Sequence, residues 1–518
     1  MMKVALRGLF FAALAAALYV RLTDLPLRPM HHDEANQAVK FGTLLEKGEY
    51  RYDKTDHHGP VLYYLTLPAA LMKGQGTLAS LDETTLRIAP ALFGAGLIIL
   101  LLLFGSSLVR EARVIAALLI AASPAMTYYS RFYIQESIFV FFTLGFLASV
   151  WRYMRRPDGG WALPAGIFAG LMAATKETAV IIFAAVGLSL GFVLVRQRLI
   201  SRRAEKPIRN RIFIRDVLLA SVAAAGTAAL LFSSFGKNPQ GILDSLSALK
   251  LYFEKGISNP GLHAQSFLSY LSLLTYSKSG GVVWSEAIVL LLGFIGMTSI
   301  IFRRRSSKKY AEDLHPVDQS LGIFLLVYTI VTTLFFSFLS YKTPWNILPF
   351  YLGWLILAGI GGAAILRWAK PFTLKAALVL IFAASLYHLG WQNHRANFLY
   401  PADPRNPYVY AQTSPDFEKL IRRIEILAAG HPERKDLLIK VIADPYEQWP
   451  LPWSLRGFSR VGYWTEASAV PELAKADLII VSSNQTEIVQ KKLGSRFSFE
   501  YFGLRPEVLL TLFIPRKL

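Results

Sequence analysis

The sequence contains no cysteine. This absence excludes disulfide bridges, thiolate nucleophiles, cysteine-ligated zinc and iron–sulfur clusters. Charged residues are scarce as well, at 17% of the 518 residues, whereas soluble domains carry about 25%. The chain also lacks a P-loop, a G-x-G-x-x-G fingerprint and a G-x-S-x-G elbow, which argues against a nucleotide-driven pump. These features are not those of an ordinary soluble protein.

Long apolar runs take the place of the missing charges. Hydrophobic residues make up 53% of the chain, and runs such as "APALFGAGLIILLLLFGSSLV" have about 20 uncharged residues, enough to cross a bilayer core of roughly 30 Å. The sequence predicts a polytopic α-helical membrane protein with about eleven transmembrane helices. They lie near residues 4–20, 88–109, 114–129, 137–151, 161–175, 177–195, 216–235, 282–302, 320–339, 346–366 and 373–390; the pair within 161–195 is alternatively one broken helix.

Basic residues indicate the orientation of these spans. Lys3 and Arg7 precede the first span, which resembles a signal peptide but has no evident cleavage site. Further Lys and Arg clusters, chiefly "RQRLISRRAEKPIRNRIFIR" and "RRRSSKK", fall in loops on the same side. We therefore expect a cytoplasmic N-terminus. The formal net charge of +20 is then a topology signal, and no nucleic-acid partner is expected.

Three long segments are predicted on the outer face: 21–87, 236–281 and the tail. We expect a membrane module over 1–390, with its active site in loop 21–87, and a small extracytoplasmic α/β domain over 391–518. In that tail "DLLIKVIA" and "ADLIIVSS" indicate buried strands, and "SPDFEKLIRRIEILAAG" indicates an amphipathic helix that Ser414 opens.

Loop 21–87 contains the strongest candidate for catalysis. Its apolar spacing predicts an interfacial helix that starts near "HHDEA", followed by a shorter one over "PVLYYLTLPAALM"; Ser80 begins a capping-box pattern before the second span. Asp33 and Glu34 point about 100° apart on such a helix, so one of them is the direct participant and the other supports it. A carboxylate there can act as a general base; the alternative is a solvated helix start.

Four imidazoles share that loop. His31, His32, His57 and His58 suggest a metal cluster with Asp33, but no tight ligand spacing supports one. We expect structural or substrate-contacting roles instead and no cofactor, with a divalent metal as the open alternative.

Charged and aromatic residues also lie at the outer mouths of later spans. They are Arg131 and Glu136 in "SPAMTYYSRFYIQES", Lys176 and Glu177 in "ATKETAV", and Tyr341, Lys342 and Trp345 in "YKTPW". Charged residues at the mouths of transmembrane spans often line substrate pathways. The cations are therefore candidates for binding a lipid phosphate, and Trp345 for stacking on an isoprenoid or a sugar. The alternatives are interface anchors and locally neutralised pairs.

Taken together, these motifs resemble the GT-C superfamily of polytopic glycosyltransferases, in its protein O-mannosyltransferase and aminoarabinose-transferase branch. "HHDEA", "HHGP", "YKTPW" and the tail element "WPLPWSLRG" also resemble a bacterial and archaeal subfamily of flippase-activity-associated membrane proteins. The resemblance implies a prokaryotic cell-membrane protein with a polyprenyl- or dolichyl-phosphate sugar donor. It also implies inverting transfer on the outer face, with Asp33 in the position of the superfamily's first-loop catalytic acidic residue.

Two functions follow from this resemblance. The first is a glycosyltransferase in which Asp33 is the base and Glu34 orients it, while the residues His32, His58, Arg131, Glu136, Lys176, Glu177, Tyr341, Lys342 and Trp345 bind substrate. Its partners are the lipid-phosphate donor, a lipid, glycan or protein acceptor, and membrane lipids. The second is a non-catalytic flippase-associated or assembly factor that handles lipid-linked sugars. Asp33 favours the glycosyltransferase, because a non-catalytic factor has little need for a carboxylate base at this position.

Overall fold

The computed structural model describes residues 2–54, 58–200, 210–258, 264–302 and 316–516. His57 and much of the two strongest basic segments lie outside these residues. The chain divides into two compact units. The first comprises Met1–Leu25, Glu49–Thr66 and Arg87–Leu399, and the second comprises Pro26–Gly48, Leu67–Leu86 and Tyr400–Leu518.

The structure is mostly helical. The helices, in chain order, are α1 (Met2–Leu22), α2 (His32–Lys47), α3 (Val61–Met72), α4 (Glu83–Leu100), α5 (Arg110–Ala122), α6 (Pro124–Ser130), α7 (Glu136–Arg155), α8 (Gly159–Ala173), α9 (Ala179–Ile200), α10 (Asn210–Phe232), α11 (Gln240–Ser258), α12 (Ser269–Thr275), α13 (Ala287–Ile301), α14 (Gln319–Phe338), α15 (Leu348–Trp368), α16 (Phe372–His394), α17 (Pro415–Gly430), α18 (Pro445–Gln448), α19 (Leu451–Ser454) and α20 (Thr486–Leu493).

Each predicted apolar segment coincides with one of these helices or with the bent pair α5–α6. In the described part of the chain, eight helices are long and apolar enough to cross a membrane, or nine if the bent pair is one span. Helices α8 and α13 are shorter, with 15 residues each. Residues 174–178 separate α8 from α9, and whether the two form two spans or one broken span stays a prediction. The prediction of a polytopic helical membrane protein is confirmed, while eleven crossings stays a prediction.

The bend of 60° between α5 and α6 has a local cause. Pro124 has no N–H to continue the ladder of α5, and the Ser123 hydroxyl instead accepts from the N–H of Met126. The buried Glu286 carboxylate accepts from the Ser123 hydroxyl at 2.6 Å and from the Ala125 N–H at 2.9 Å. These bonds satisfy helix-end donors that the break exposes.

Both predicted helices of the first outer loop are present as α2 and α3. Helix α2 ends at Gly48, whose φ of 67° suits a residue without Cβ. The predicted role of Ser80 at the start of the next helix is wrong. Ser80 belongs to a short 3₁₀ turn, and Asp82 Oδ1 accepts from the Thr85 N–H at 2.8 Å as α4 begins.

A five-stranded sheet forms the centre of the second unit. Strands β3 (Leu438–Ile442), β4 (Arg460–Trp464) and β5 (Leu478–Ser482) are parallel, whereas β6 (Phe497–Arg505) and β7 (Val508–Pro515) pair antiparallel, in the order β4-β3-β5-β7-β6. A separate hairpin, β1 (Ser277–Ser279) and β2 (Val282–Trp284), lies in the first unit.

Helices cover both faces of the five-stranded sheet. The apolar side of α17 packs with Ile439 and Val441 on one face, and α20 packs with Ile479 and Val481 on the other. Strands buried on both faces read as continuous apolar runs, which is why "DLLIKVIA" and "ADLIIVSS" were recognisable as β3 and β5. The predicted α/β tail, with Ser414 capping α17, is confirmed.

The structure divides the first outer loop differently from the sequence-based division, which placed all of 21–87 with the membrane module. Residues 26–48 and 67–86 belong to the second unit, where hydrogen bonds link them to the tail. The Thr413 hydroxyl donates to the Met30 carbonyl at 2.6 Å. The Trp453 indole donates to Glu83 at 3.0 Å. The tail thus builds one unit with the helix that contains Asp33.

Candidate active site

The predicted site residues fall into two groups. His32, Asp33 and Glu34 belong to the second unit; His58, Arg131, Glu136, Lys176, Glu177, Tyr341, Lys342 and Trp345 belong to the first.

A capping box built on histidine starts α2. The His31 Nδ1 atom accepts from the Asp33 N–H at 3.0 Å, and a Glu34 carboxylate oxygen accepts from the His31 N–H at 3.1 Å. Two of the donors that a helix leaves unpaired at its start are therefore satisfied by side chains. The sequence "HHDEA" therefore encodes the helix start that was predicted near it, and His31 is the residue that caps it.

His31 is held in one neutral tautomer. A backbone N–H only donates and a carbonyl only accepts, so Nδ1 takes the Asp33 N–H, while Nε2 donates to the Tyr410 carbonyl at 2.9 Å. Burial lowers the pKa of His31, although Asp33 and Glu34 act to raise it. The imidazole thus links the start of α2 to the tail without adding a charge.

The two carboxylates of the pair differ in environment. Glu34 is buried, and one of its oxygens lies 3.6 Å from the Arg28 guanidinium. The Asp33 side chain is 33% exposed. Because Glu34 is engaged in the cap, Asp33 is the carboxylate that a substrate can reach. The division of roles between a direct participant and a support stays a prediction.

The neutral state of His31 predicts a loss of stability in acid. Its folded-state pKa lies below the ordinary 6.5, so the unfolded chain binds the proton more readily. The stabilisation is present above pH 6.5 and decreases as the pH falls towards the folded-state pKa, by up to about 1.4 kcal/mol per pH unit. His31→Asn keeps a capping acceptor and should remove this dependence. Thermal unfolding of both proteins at pH 7.5 and 5.5 tests it; equal acid sensitivity would contradict it.

Residues of the tail surround the start of α2, and the sequence reasoning did not select them. The His32 ring lies 5.7 Å from the Tyr446 ring and 6.0 Å from the Trp449 ring, measured between centroids. Burial lowers the pKa of Arg505, although Glu447 and Asp33 act to raise it. Burial raises the pKa of Tyr410, and Asp33 adds to that shift. Tyr446 follows a run recognised as a buried strand, and ligands of α/β sheets bind beyond such strand ends. The position of Tyr446 after a predicted strand could therefore have indicated a ligand site from the sequence.

In the first unit, Lys176 forms a buried ion pair. Its ammonium lies 2.7 Å from a Glu136 oxygen and donates to the Asn346 side-chain oxygen at 3.1 Å. The second Glu136 oxygen, Oε2, is buried with no hydrogen-bond partner among the described residues. Two local pairs were considered from the sequence, Arg131 with Glu136 and Lys176 with Glu177. Neither forms among the described residues, because Glu136 pairs with Lys176 instead.

Glu177 pairs with His58 instead of its neighbour Lys176. It accepts from His58 Nδ1 at 2.6 Å and from the Tyr52 hydroxyl at 3.0 Å. Burial alone would raise the pKa of Glu177, but the attraction of His58 and these hydrogen bonds outweigh it, so the pKa lies below its ordinary value. The structure thus brings together two residues that the sequence selected separately.

Arg131 and Lys342 have roles that the sequence did not predict. The Arg131 guanidinium donates to four backbone carbonyls just at and after the end of α1, at Val20, Arg21, Thr23 and Asp24. The Lys342 ammonium donates to the Leu339 and Gln265 carbonyls. The carbonyls bound by Arg131 and the Leu339 carbonyl lie at or just after helix ends, which leave such groups unpaired, whereas Gln265 lies outside the helices. The role of Arg131 and Lys342 as phosphate partners stays a prediction.

The aromatic residues of "YKTPW" differ in exposure. Trp345 is buried, with its ring 6.2 Å from the rings of Tyr129 and Phe132. It therefore packs inside the first unit, and its stacking on a substrate stays a prediction. Tyr341 is partly exposed and forms a β-bridge with Ala264. Of the two, Tyr341 stays a candidate for substrate contact.

No group of three or more metal-binding side chains occurs among the described residues, His57 being outside them. Two of the four histidines considered from the sequence have other hydrogen-bond partners in the structure. His31 uses both ring nitrogens for the cap and for Tyr410, and His58 bonds to Glu177.

Comparison with known proteins adds a family match for part of the chain. The family model described as Dolichyl-phosphate-mannose-protein mannosyltransferase matches residues 9–230. This range contains α2 and the residues from His58 to Glu177 discussed above. No curated protein matches the chain in sequence.

Solved structures match nearly the whole chain. ArnT from Cupriavidus metallidurans bound to undecaprenyl phosphate is 15% identical with a TM-score of 0.63, and 98% of each chain is covered. The archaeal oligosaccharyltransferase AglB from Archaeoglobus fulgidus is 13% identical with a TM-score of 0.54, covering 96% of this chain and 69% of AglB. The mycobacterial arabinofuranosyltransferase AftD is 12% identical with a TM-score of 0.51, covering 98% and 40%. This chain is an integral membrane protein with the fold of the GT-C glycosyltransferases.

Proposed function

We propose that this protein is an inverting glycosyltransferase that moves a sugar from a polyprenyl-phosphate-linked donor to an acceptor on the outer face of the membrane. The GT-C fold supports the proposal, and so does the family match to a mannosyltransferase that uses a dolichyl-phosphate donor. The solved ArnT structure contains undecaprenyl phosphate, which favours a lipid phosphate over a nucleotide as the carrier of the sugar.

The observation that carries the proposal is the contrast between Asp33 and Glu34. Only Asp33 presents a partly exposed carboxylate at the start of α2. In the reaction, an acceptor hydroxyl attacks the anomeric carbon, the bond from that carbon to the phosphate oxygen breaks, and the lipid phosphate leaves. The acceptor proton passes to Asp33, which acts as the general base. Glu34 acts as a positioning residue through the cap at His31.

We assign the donor phosphate to residues of the first unit. The His58 side chain is 22% exposed, and an imidazole N–H can donate to a phosphate oxygen. Lys176 has three N–H donors, and the two bonds within the described part of the chain go to Glu136 and Asn346. We assign Arg131 and Lys342 to backbone carbonyls instead, and Tyr341 remains with the substrate-binding group.

The direct test measures sugar transfer. Purified protein in lipid nanodiscs would be given radiolabelled polyprenyl-phosphate mannose and aminoarabinose, with lipid, saccharide and peptide acceptors. The proposal predicts Asp33-dependent transfer to at least one acceptor. Donor binding without transfer to any acceptor would contradict it and would favour the non-catalytic flippase-associated factor.

The outer location of the reaction has its own test. The basic segments predict that the N-terminus and the loop around Lys309 are cytoplasmic and that the tail after Tyr400 is outside. Alkaline phosphatase, active only outside the cytoplasm, should be active when fused after Tyr400 and inactive when fused after Lys309. Equal activity at both positions would contradict the orientation and remove the outer location from the proposal.

A further inference from the structure

The parallel part of the C-terminal sheet has a topological switch point at its carboxyl edge. From β3 the chain passes to β4 on one side, and from β4 it returns to β5 on the other side of β3. In open α/β sheets, ligands bind outside the strand ends where the order reverses in this way. Asp444 follows β3 and Asn484 follows β5, and the Asn484 amide donates to Asp444 Oδ2 at 3.3 Å. Two polar side chains therefore flank the position where the fold favours a ligand.

The same edge presents an exposed aromatic ring and a second carboxylate. Tyr446, two residues after Asp444, is 76% exposed. Glu447 has one buried oxygen, Oε2, without a hydrogen-bond partner in the described part of the chain. Burial and the neighbouring Asp444 raise the pKa of Glu447. None of these side chains contributes to the hydrophobic core, so the fold alone does not require this set.

The start of α2 lies at this edge, inside the same unit. His32 directly precedes Asp33 in the chain, and its ring lies against the Tyr446 ring. Arg505 donates to the Tyr446 carbonyl at 2.5 Å and to the Trp449 carbonyl at 3.4 Å. Both Asp33 and Glu447 attract its charge. Asp33 and the strand-end residues are thus connected through one arginine and one aromatic contact.

We infer that Asp444, Tyr446 and Asn484, with His32, form an acceptor subsite for a saccharide beside Asp33. Sugar rings present C–H faces that pack on aromatic rings, and their hydroxyls both donate and accept hydrogen bonds. Tyr446 and His32 supply rings, Asp444 accepts, and Asn484 does both. A lipid acceptor would need an apolar groove, whereas this edge is polar around exposed rings. The inference rests on the proposed function, because it takes Asp33 as the base on the acceptor side.

Saturation-transfer NMR on the full-length protein in lipid nanodiscs tests this subsite without any donor. The probes are α-1,2-mannobiose and a threonine-containing hexapeptide. Tyr446→Ala and Asn484→Ala should each weaken mannobiose binding about tenfold, since a ring contact or hydrogen bond of this kind contributes about that factor. Tyr446→Phe should keep most of it. Tyr501 of β6 is also an exposed tyrosine, at 58%, and Tyr501→Ala should bind like the parent protein.

The outcomes separate this inference from the proposed function. Mannobiose binding that Tyr446→Ala and Asn484→Ala leave unchanged would overturn the inference, and so would binding of the hexapeptide alone. Neither result affects Asp33-dependent transfer. Mannobiose binding that both variants weaken, in a protein that transfers no sugar, would support the saccharide subsite while the transferase proposal fails.

Discussion

Asp33→Asn is expected to lower the rate of sugar transfer by roughly 10²–10⁴-fold, the contribution of a positioned general base. Asparagine has nearly the same size as aspartate, but it does not accept a proton at neutral pH. The Asp33 N–H, which bonds to His31, is unchanged, so the cap of α2 remains. The measurement is the single-turnover rate from a radiolabelled lipid-phosphate sugar, with donor binding determined in parallel.

Two variants of α2 serve as controls for Asp33→Asn. Glu34→Gln keeps an acceptor for the His31 N–H, since glutamine also completes a capping box, and should have a smaller effect on the rate. Glu46→Gln removes an exposed carboxylate that accepts from the Leu78 N–H and should transfer like the parent. If Asp33→Asn retained full transfer with normal donor binding, Asp33 would not be the base.

The second large effect is expected at the buried pair of the first unit. Lys176→Met removes the cation that neutralises Glu136 and leaves a buried carboxylate without compensation, which costs about 3–5 kcal/mol of stability. The double variant Glu136→Gln with Lys176→Met removes both charges and should recover most of the loss. Unfolding free energies from titration with SDS in mild detergent micelles measure both effects.

An exposed pair provides the comparison for Lys176. The Lys73 ammonium lies 3.1 Å from Asp82, with both side chains more than 40% exposed. Exposed ion pairs contribute about 0–1 kcal/mol, so Lys73→Met should change stability little. If Lys176→Met were no more destabilising than Lys73→Met, or if the double variant recovered nothing, the buried pair would not have the assigned role.

The local pattern of apolar residues in the sequence predicted helices and strands correctly. The apolar spacing that predicted α2 matches its buried side, where Ala35 and Ala38 lie, and the apolar runs of the tail form β3 and β5. The rule that adjacent helical residues diverge also separated Asp33 from Glu34 before any contact was known. These features depend on backbone periodicity, which a sequence displays directly.

The local sequence pattern did not predict the hydrogen-bond and ion-pair partners of charged side chains. The sequence suggests phosphate ligands at Arg131 and Lys342, and the structure shows that both side chains donate to backbone carbonyls from other parts of the chain. Lys176 is adjacent to Glu177 in the chain and pairs with Glu136, 40 residues earlier. A long side chain bonds to whatever the packing brings near, and sequence distance does not encode that.

By itself the sequence determined the membrane-spanning helical class, the α/β tail, the candidate base Asp33 and the absence of cysteine chemistry. Composition, hydropathy and periodicity are properties of short stretches, so they need no fold to be read. Only the tertiary structure decided that residues 26–48 and 67–86 belong with the tail, that His31 is a neutral cap bonded to Tyr410, and that Tyr446 lies beside the helix of Asp33. Each of these joins residues far apart in the chain, because burial and hydrogen bonding are satisfied in three dimensions.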